Sequence, residues 1–180
     1  MILRPLTKRK FHLYFLIASI QLLVVAVPVF SQKRKGSQDS KPTEVRLREA
    51  EFFFAEAEKY FILEDYAKAL LYFQRVSELN PTSATVHYKI AEVLAKGTKE
   101  EDIQKAAQSI ELALKYEKKN KYFYLLASNI YASLGQFEKA TNALETMMKE
   151  VKGTEDYLFE LAALYLYDKK EDEALKVYNR

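Results

Sequence analysis

Cysteine, histidine and glycine, the residues most often central to nucleophilic, metal and phosphate chemistry, are absent or scattered in this sequence. There is no cysteine, which removes disulfides, thiolate metal sites, thiol nucleophiles and a cysteine-borne lipid. The two histidines, His12 and His87, are far apart in the chain, so a zinc site or a Ser-His-Asp arrangement lacks its parts. The four glycines fall singly at 36, 97, 135 and 153, and no glycine-rich loop that could cradle a phosphate is formed. Carboxylates cluster twice, at Glu100-Glu101-Asp102 and Glu171-Asp172-Glu173. Both clusters sit at expected turns or helix starts, where acids complement the positive end of the helix dipole. His87 reads as a packed imidazole, and Met147 and Met148 as core residues. The expectation is a chain that is no enzyme and holds no metal and no cofactor.

Charge narrows the partners. The formal net charge is +3, but Arg4, Lys8, Arg9 and Lys10 precede residue 31 and no acid does. These four come off a total of 28 basic residues, leaving 24 against 25 acids. The remainder is near neutral, and no basic stripe for a phosphate backbone survives, so nucleic acid is not an expected partner.

The same four charges are followed by the apolar run from His12 to Phe30. Charge first and apolar next is the order of a secretory signal. Val29 and Ser31 are small enough to flank a cleavage point between Ser31 and Gln32, and the Ser-Gln junction resembles signal peptides of the Bacteroidetes group. The run from Phe11 to Phe30 is also long enough to span a bilayer as an uncleaved anchor. Residues 1–31 are therefore read as a signal peptide or a membrane anchor. Either reading exports the remainder, to the periplasm or the outer membrane in the first case and to the periplasmic side of the inner membrane in the second. A membrane contact is expected only through this segment.

Residues 32–43, QKRKGSQDSKPT, carry Gly, Ser and Pro among polar residues and read as a flexible spacer. Thr43 is placed to cap a helix. Beyond it the periodicity is helical. Phe53, Ala57 and Tyr60, then Ala69, Phe73 and Val76, recur at spacings of three and four. A break at Glu64-Asp65 divides the two runs, and Asn80-Pro81 ends them, giving a helical hairpin.

The hairpin returns three times. Phe53, Ala57, Tyr60, Tyr66, Ala69, Phe73 and Pro81 are answered by His87, Ile90, Ala91, Leu94, Ala106, Ile110 and Ala113. Then come Tyr124, Ala127, Tyr131, Gly135, Phe137, Ala140 and Leu144, and finally Leu158, Leu161, Ala162, Tyr165, Ala174 and Tyr178. Steps between Tyr60, Leu94, Tyr131 and Tyr165 are 34, 37 and 34. The three extra residues are expected in a longer loop at 96–102. This pattern resembles tetratricopeptide repeats. The resemblance implies an all-α, right-handed α-solenoid of about four helical hairpins following the N-terminal hydrophobic segment. The repeat domain would span 44–180, with units near 50–83, 84–120, 121–154 and 155–180. Ala57, Ala91, Ser128 and Ala162 are small where paired helices must close in, and each hairpin needs a neighbour to bury its apolar face. The expected role is a non-catalytic protein-interaction scaffold in the cell envelope; because the last unit stops about two turns short, the alternative reading is the N-terminal repeat arm of a larger envelope protein whose catalytic, signalling or peptidoglycan-binding domain lies beyond residue 180.

The resemblance also implies an inner groove lined by the first helices. Its central row would be Phe54, Tyr88, Leu125 and Phe159, with Glu58, Glu92 and Asn129 beside it. Members that clamp a terminal carboxylate use Lys and Asn there, whereas this chain has Asn129 and no Lys at the central places. The expected partner is thus a protein or peptide segment with apolar anchors and some basic residues. Phe54, Tyr88 and Phe159 would anchor it, and Glu58 and Glu92 would set the charge preference. In the alternative reading, the row packs against another segment of the same protein.

Overall fold

The computed structural model describes residues 43–179, which belong to the second of the chain's two compact units, Lys41–Arg180. The expected leader and nearly all of the expected spacer lie outside the described residues. Among those described, eight α-helices form four consecutive hairpins. Helices α1 (Thr43–Ile62) and α2 (Tyr66–Leu79) make the first, and α3 (Ala84–Leu94) and α4 (Glu100–Tyr116) the second. Helices α5 (Lys121–Ser133) and α6 (Phe137–Glu150) make the third. After a 3-10 turn (Glu155–Tyr157), α7 (Leu158–Tyr167) and α8 (Glu171–Tyr178) make the fourth. Each helix packs chiefly on its neighbours in the chain, the pattern of a solenoid.

Local chemistry sets the boundaries. Asp65, Ser83 and Asn120 cap α2, α3 and α5, each accepting a backbone N–H of the first turn. Three of the four hairpin turns place one left-handed residue at an equivalent position, Glu64, Gly135 and Lys169. Two expectations change. Helix α1 includes Thr43 and runs about two turns ahead of the first repeat. The three extra residues of the second hairpin lengthen a helix more than a loop. Helix α4 has 17 residues where α2 and α6 have 14, because Glu100, Glu101 and Asp102 form an added first turn. Acids at that end are favoured by the dipole.

Small and large residues interlock as their types require. Ala57, Ala91, Ser128 and Ala162 are all buried, and the Ser128 hydroxyl donates to the Ala140 carbonyl at 3.1 Å, so the polar member of the series is satisfied. His87 is buried as well. Its Nε2–H donates to the Pro81 carbonyl at 2.8 Å, and the ring stacks on Tyr116. Tyr124, the equivalent residue one unit later, donates to the Lys118 carbonyl at 3.0 Å. Both tie a first helix to the turn before it, a structural role for the single described histidine.

A second bond repeats between hairpins. The Tyr131 hydroxyl donates to Glu111 at 2.7 Å, and one repeat later the Tyr165 hydroxyl donates to Glu145 at 2.9 Å. The equivalent pair at the first junction is Leu94 and Gln74, so hydroxyl and carboxylate are lost together. Burial, then the bond to Glu111, raises the Tyr131 pKa well above its ordinary 10.0. The proton is held more tightly in the folded chain, so this contribution is complete below about pH 10 and is lost as pH rises beyond it. Tyr131→Phe should cost about 1–2 kcal/mol at neutral pH and flatten the alkaline limb of a stability–pH curve measured by urea denaturation. An unchanged limb would show that Tyr131 does not couple folding to pH.

Candidate functional site

Contacts between side chains place the first helices of the hairpins side by side. Lys89 of α3 pairs with Glu58 of α1 at 3.1 Å. Tyr88 of α3 stacks on Phe123 of α5, ring centroids 5.0 Å apart. Lys121 of α5 lies 5.7 Å from the centroid of the Tyr157 ring, just ahead of α7. The four residues of the expected central row therefore fall on consecutive first helices, but at different depths. Phe54 is half-buried and meets the core ring of Phe73 edge-on at 5.6 Å. Tyr88 is half-buried on Phe123. Leu125 is half-buried against a cluster containing Tyr124 and Leu144. Phe159 is 70% exposed and meets only the ring of Tyr178 among the described aromatic contacts. A row of this kind offers an apolar ledge whose first members are braced by the core.

The acids depart from the expectation that Glu58 and Glu92 stand open to basic groups. Lys89 already lies between them, 3.1 Å from each. Its ammonium also lies over the ring of Phe61, with Nζ 5.1 Å from the centroid. All three charged side chains are largely withdrawn from solvent. Burial acts to lower the Lys89 pKa, but the bonds to Glu92 and Glu58 outweigh it and raise it overall. The Tyr88 hydroxyl faces Glu92 at 3.5 Å, and burial, then that charge, raises its pKa. Glu58, Tyr88, Lys89 and Glu92 thus form one cluster carrying a single net negative charge. Sequence reasoning misses Lys89 because only its helical neighbour Glu92, three residues on, is visible there, whereas Glu58 comes from another helix.

Asn129 shares a cleft with Glu92 of that cluster. It is exposed at the rim of this cleft of about 260 Å³ between α3 and α5, which Ala95 and Leu126 also line. Its amide can donate and accept toward a backbone laid along the row. Among the described residues no group of three or more His, Asp or Glu is arranged to hold a metal ion.

Helical hairpins repeating at a near-constant step, with small residues at their close approaches and first helices in consecutive contact, define a helical-repeat solenoid. Solved structures agree. The chain is similar to MamA, with a TM-score of 0.65 and 19% identity over 72% of this chain and 74% of that one. It is similar to YrrB, described as a tetratricopeptide-repeat protein with an unusual peptide-binding site, with a TM-score of 0.60 and 18% identity over 77% and 73%. It is also similar to the first repeat domain of Spaghetti (RPAP3) bound to an HSP90 peptide, with a TM-score of 0.54 and 14% identity over 74% and 95%. At these identities the likeness is one of fold, and the fold is that of tetratricopeptide repeats. In sequence, 114 residues are 32% identical to rat serine/threonine-protein phosphatase 5, which is 62% of this chain and 22% of that protein's length. No protein-family profile matches the chain.

Proposed function

We propose that this chain is a non-catalytic protein-interaction scaffold of the cell envelope, seating a segment of a partner protein along the row Phe54, Tyr88, Leu125 and Phe159. The observation that supports this reading most directly is the graded ledge itself. Two aromatic rings, Phe54 and Tyr88, are held against Phe73 and Phe123 and stay partly open to solvent, while Phe159 is mostly exposed. Aromatic side chains fixed in this way give apolar contact at small entropic cost. Asn129 supplies a polar contact beside them. The peptide-bound and peptide-binding structures named above support the class of partner. The charge preference is weaker than two open acids would give, since Lys89 leaves one net negative charge. The location outside the cytoplasmic membrane rests on the charge-then-apolar order of residues 1–31.

The test uses residues 41–180, a compact unit with its own core, as bait in envelope extracts. Phe159→Ala with Asn129→Ala removes two exposed contacts and should leave the melting temperature within about 2 °C. Recovery of the wild-type partner should fall at least about tenfold, the equivalent of about 1.4 kcal/mol. Equal recovery by the double variant would place the partner elsewhere.

A further inference from the structure

We propose that the third hairpin carries a binding slot for one planar aromatic ring of the phenol type, formed by Tyr124, Tyr131 and Ala143. The other hairpins provide the template. In the first, Tyr72 of α2 stacks on two rings of α1, with centroids 5.9 Å from Phe53 and 5.5 Å from Tyr60, the second pair within 5° of parallel. In the second, Ser109 holds the place of Tyr72, and Tyr116 of the same helix brings the ring instead, stacking on His87. In the fourth, the place falls to Val177, which is buried in the cluster that Leu158 and Tyr165 pack against. Each of these hairpins fills the space beside its first helix with a side chain of its own second helix.

The third hairpin keeps the walls and omits the filler. Tyr124 and Tyr131 stand where Phe53 and Tyr60 stand in the first, but Ala143 replaces Tyr72 and Glu150 replaces Tyr116. A cleft of about 390 Å³ opens there, lined by both tyrosines, Ala143 and Leu114 of α4. That volume falls within the range of small-ligand sites. Both wall hydroxyls are engaged elsewhere, Tyr124 with the Lys118 carbonyl and Tyr131 with Glu111, so the two rings are held in place before a ligand arrives. Lys139 lies 5.4 Å from the Tyr131 centroid. Its equivalent, Lys68, lies 5.0 Å from the centroid of Tyr60 with Tyr72 already stacked there. The lysine and an added ring are therefore compatible.

The rest of the lining sets the chemistry of the ligand. Two aromatic walls favour an aromatic ring over an aliphatic group of equal size, because ring contacts add to burial. Asn142 and Thr146 stand exposed at the rim. The Thr146 hydroxyl donates to the Asn142 backbone carbonyl at 2.7 Å, which leaves its oxygen to accept and the Asn142 side-chain amide to donate or accept. One hydroxyl on the ring would be matched by these groups. Lys118, Lys139 and Glu150 complete the lining with a single net positive charge, too little to select a strongly charged ligand. Phe54, Tyr88, Leu125 and Phe159 take no part in this cleft, so the slot does not depend on a partner seated along their row.

The probe is p-cresol, the tyrosine side chain without its backbone, titrated into isotope-labelled residues 41–180 and followed by amide NMR shifts. We expect saturable shifts centred on Ala143 and Thr146. Its saturated analogue methylcyclohexanol, of similar size without the aromatic face, should bind about fivefold more weakly. Ala143→Tyr restores the ring that the first hairpin carries and should abolish binding. Ala143→Leu, a smaller filler, should weaken it at least about tenfold and gives the reading if the tyrosine variant does not fold. Phe159→Ala with Asn129→Ala should leave it unchanged, which separates the slot from the row of first helices. N-acetyl-L-tyrosinamide distinguishes the source of the ring. Binding at least as tight as that of p-cresol assigns the slot to a tyrosine side chain of a protein segment, and weaker binding assigns it to a free phenol. Absence of saturable shifts at Ala143, equal binding of p-cresol and methylcyclohexanol, or undiminished binding by a folded Ala143→Tyr variant overturns the proposal.

Discussion

Phe73→Ala should destabilise the unit by about 3–5 kcal/mol, as expected for a fully buried phenylalanine, while Tyr178→Ala, at the equivalent place in the fourth hairpin, should stay within about 0.5 kcal/mol. Phe73 is completely withdrawn from solvent and lies in the core shared by the first two hairpins. Removing its ring leaves a cavity at that junction. In a solenoid, stability is close to a sum of hairpin and junction contributions, so the loss should appear first as fraying of α1 and α2. Urea denaturation followed by circular dichroism would then show an early helical loss ahead of the main transition. Tyr178 has no hairpin beyond it among the described residues and little contact to lose. If both substitutions cost the same several kcal/mol, Tyr178 is covered in solution and the end of α8 is not open.

The comparison of these two residues also shows how far the sequence can be read. Spacing alone makes Phe73 and Tyr178 equivalents, and the buried series Ala57, Ala91, Ser128 and Ala162 follows from the need for close approach between paired helices. What spacing does not carry is depth. Phe54 and Phe159 occupy the same place in their repeats, yet one leans on the buried ring of Phe73 and the other on the exposed ring of Tyr178, and among the described residues only the first pair is covered by a following hairpin. Contacts across junctions are equally hidden. The Tyr131–Glu111 and Tyr165–Glu145 bonds join residues 20 apart, outside any helical spacing. The added turn of α4 is hidden for a local reason: the three acids after Gly97 suit an exposed turn as well as a helix start, and spacing alone does not choose between them.

The Lys89 cluster yields the second large effect. Lys89→Met should cost about 1–3 kcal/mol at neutral pH, the range for leaving withdrawn polar groups unmatched. The methionine keeps most of the length of the side chain but removes the charge that lies over Phe61, so Glu58 and Glu92 are left with like charges facing the vacated place. Neutralising those two as well, in Lys89→Met with Glu58→Gln and Glu92→Gln, should recover most of the loss, because the penalty belongs to the unmatched carboxylates more than to the missing bonds. Urea midpoints of the wild type, the single and the triple variant decide it, and a triple variant no more stable than the single one would mean that Lys89 acts through packing. The same series bears on the row of first helices. With Lys89 absent, two acids become available beside Tyr88, and a basic segment should bind the single variant more tightly than the wild type even as the fold weakens. Stability and capture would then move in opposite directions, which loss of the fold alone cannot produce.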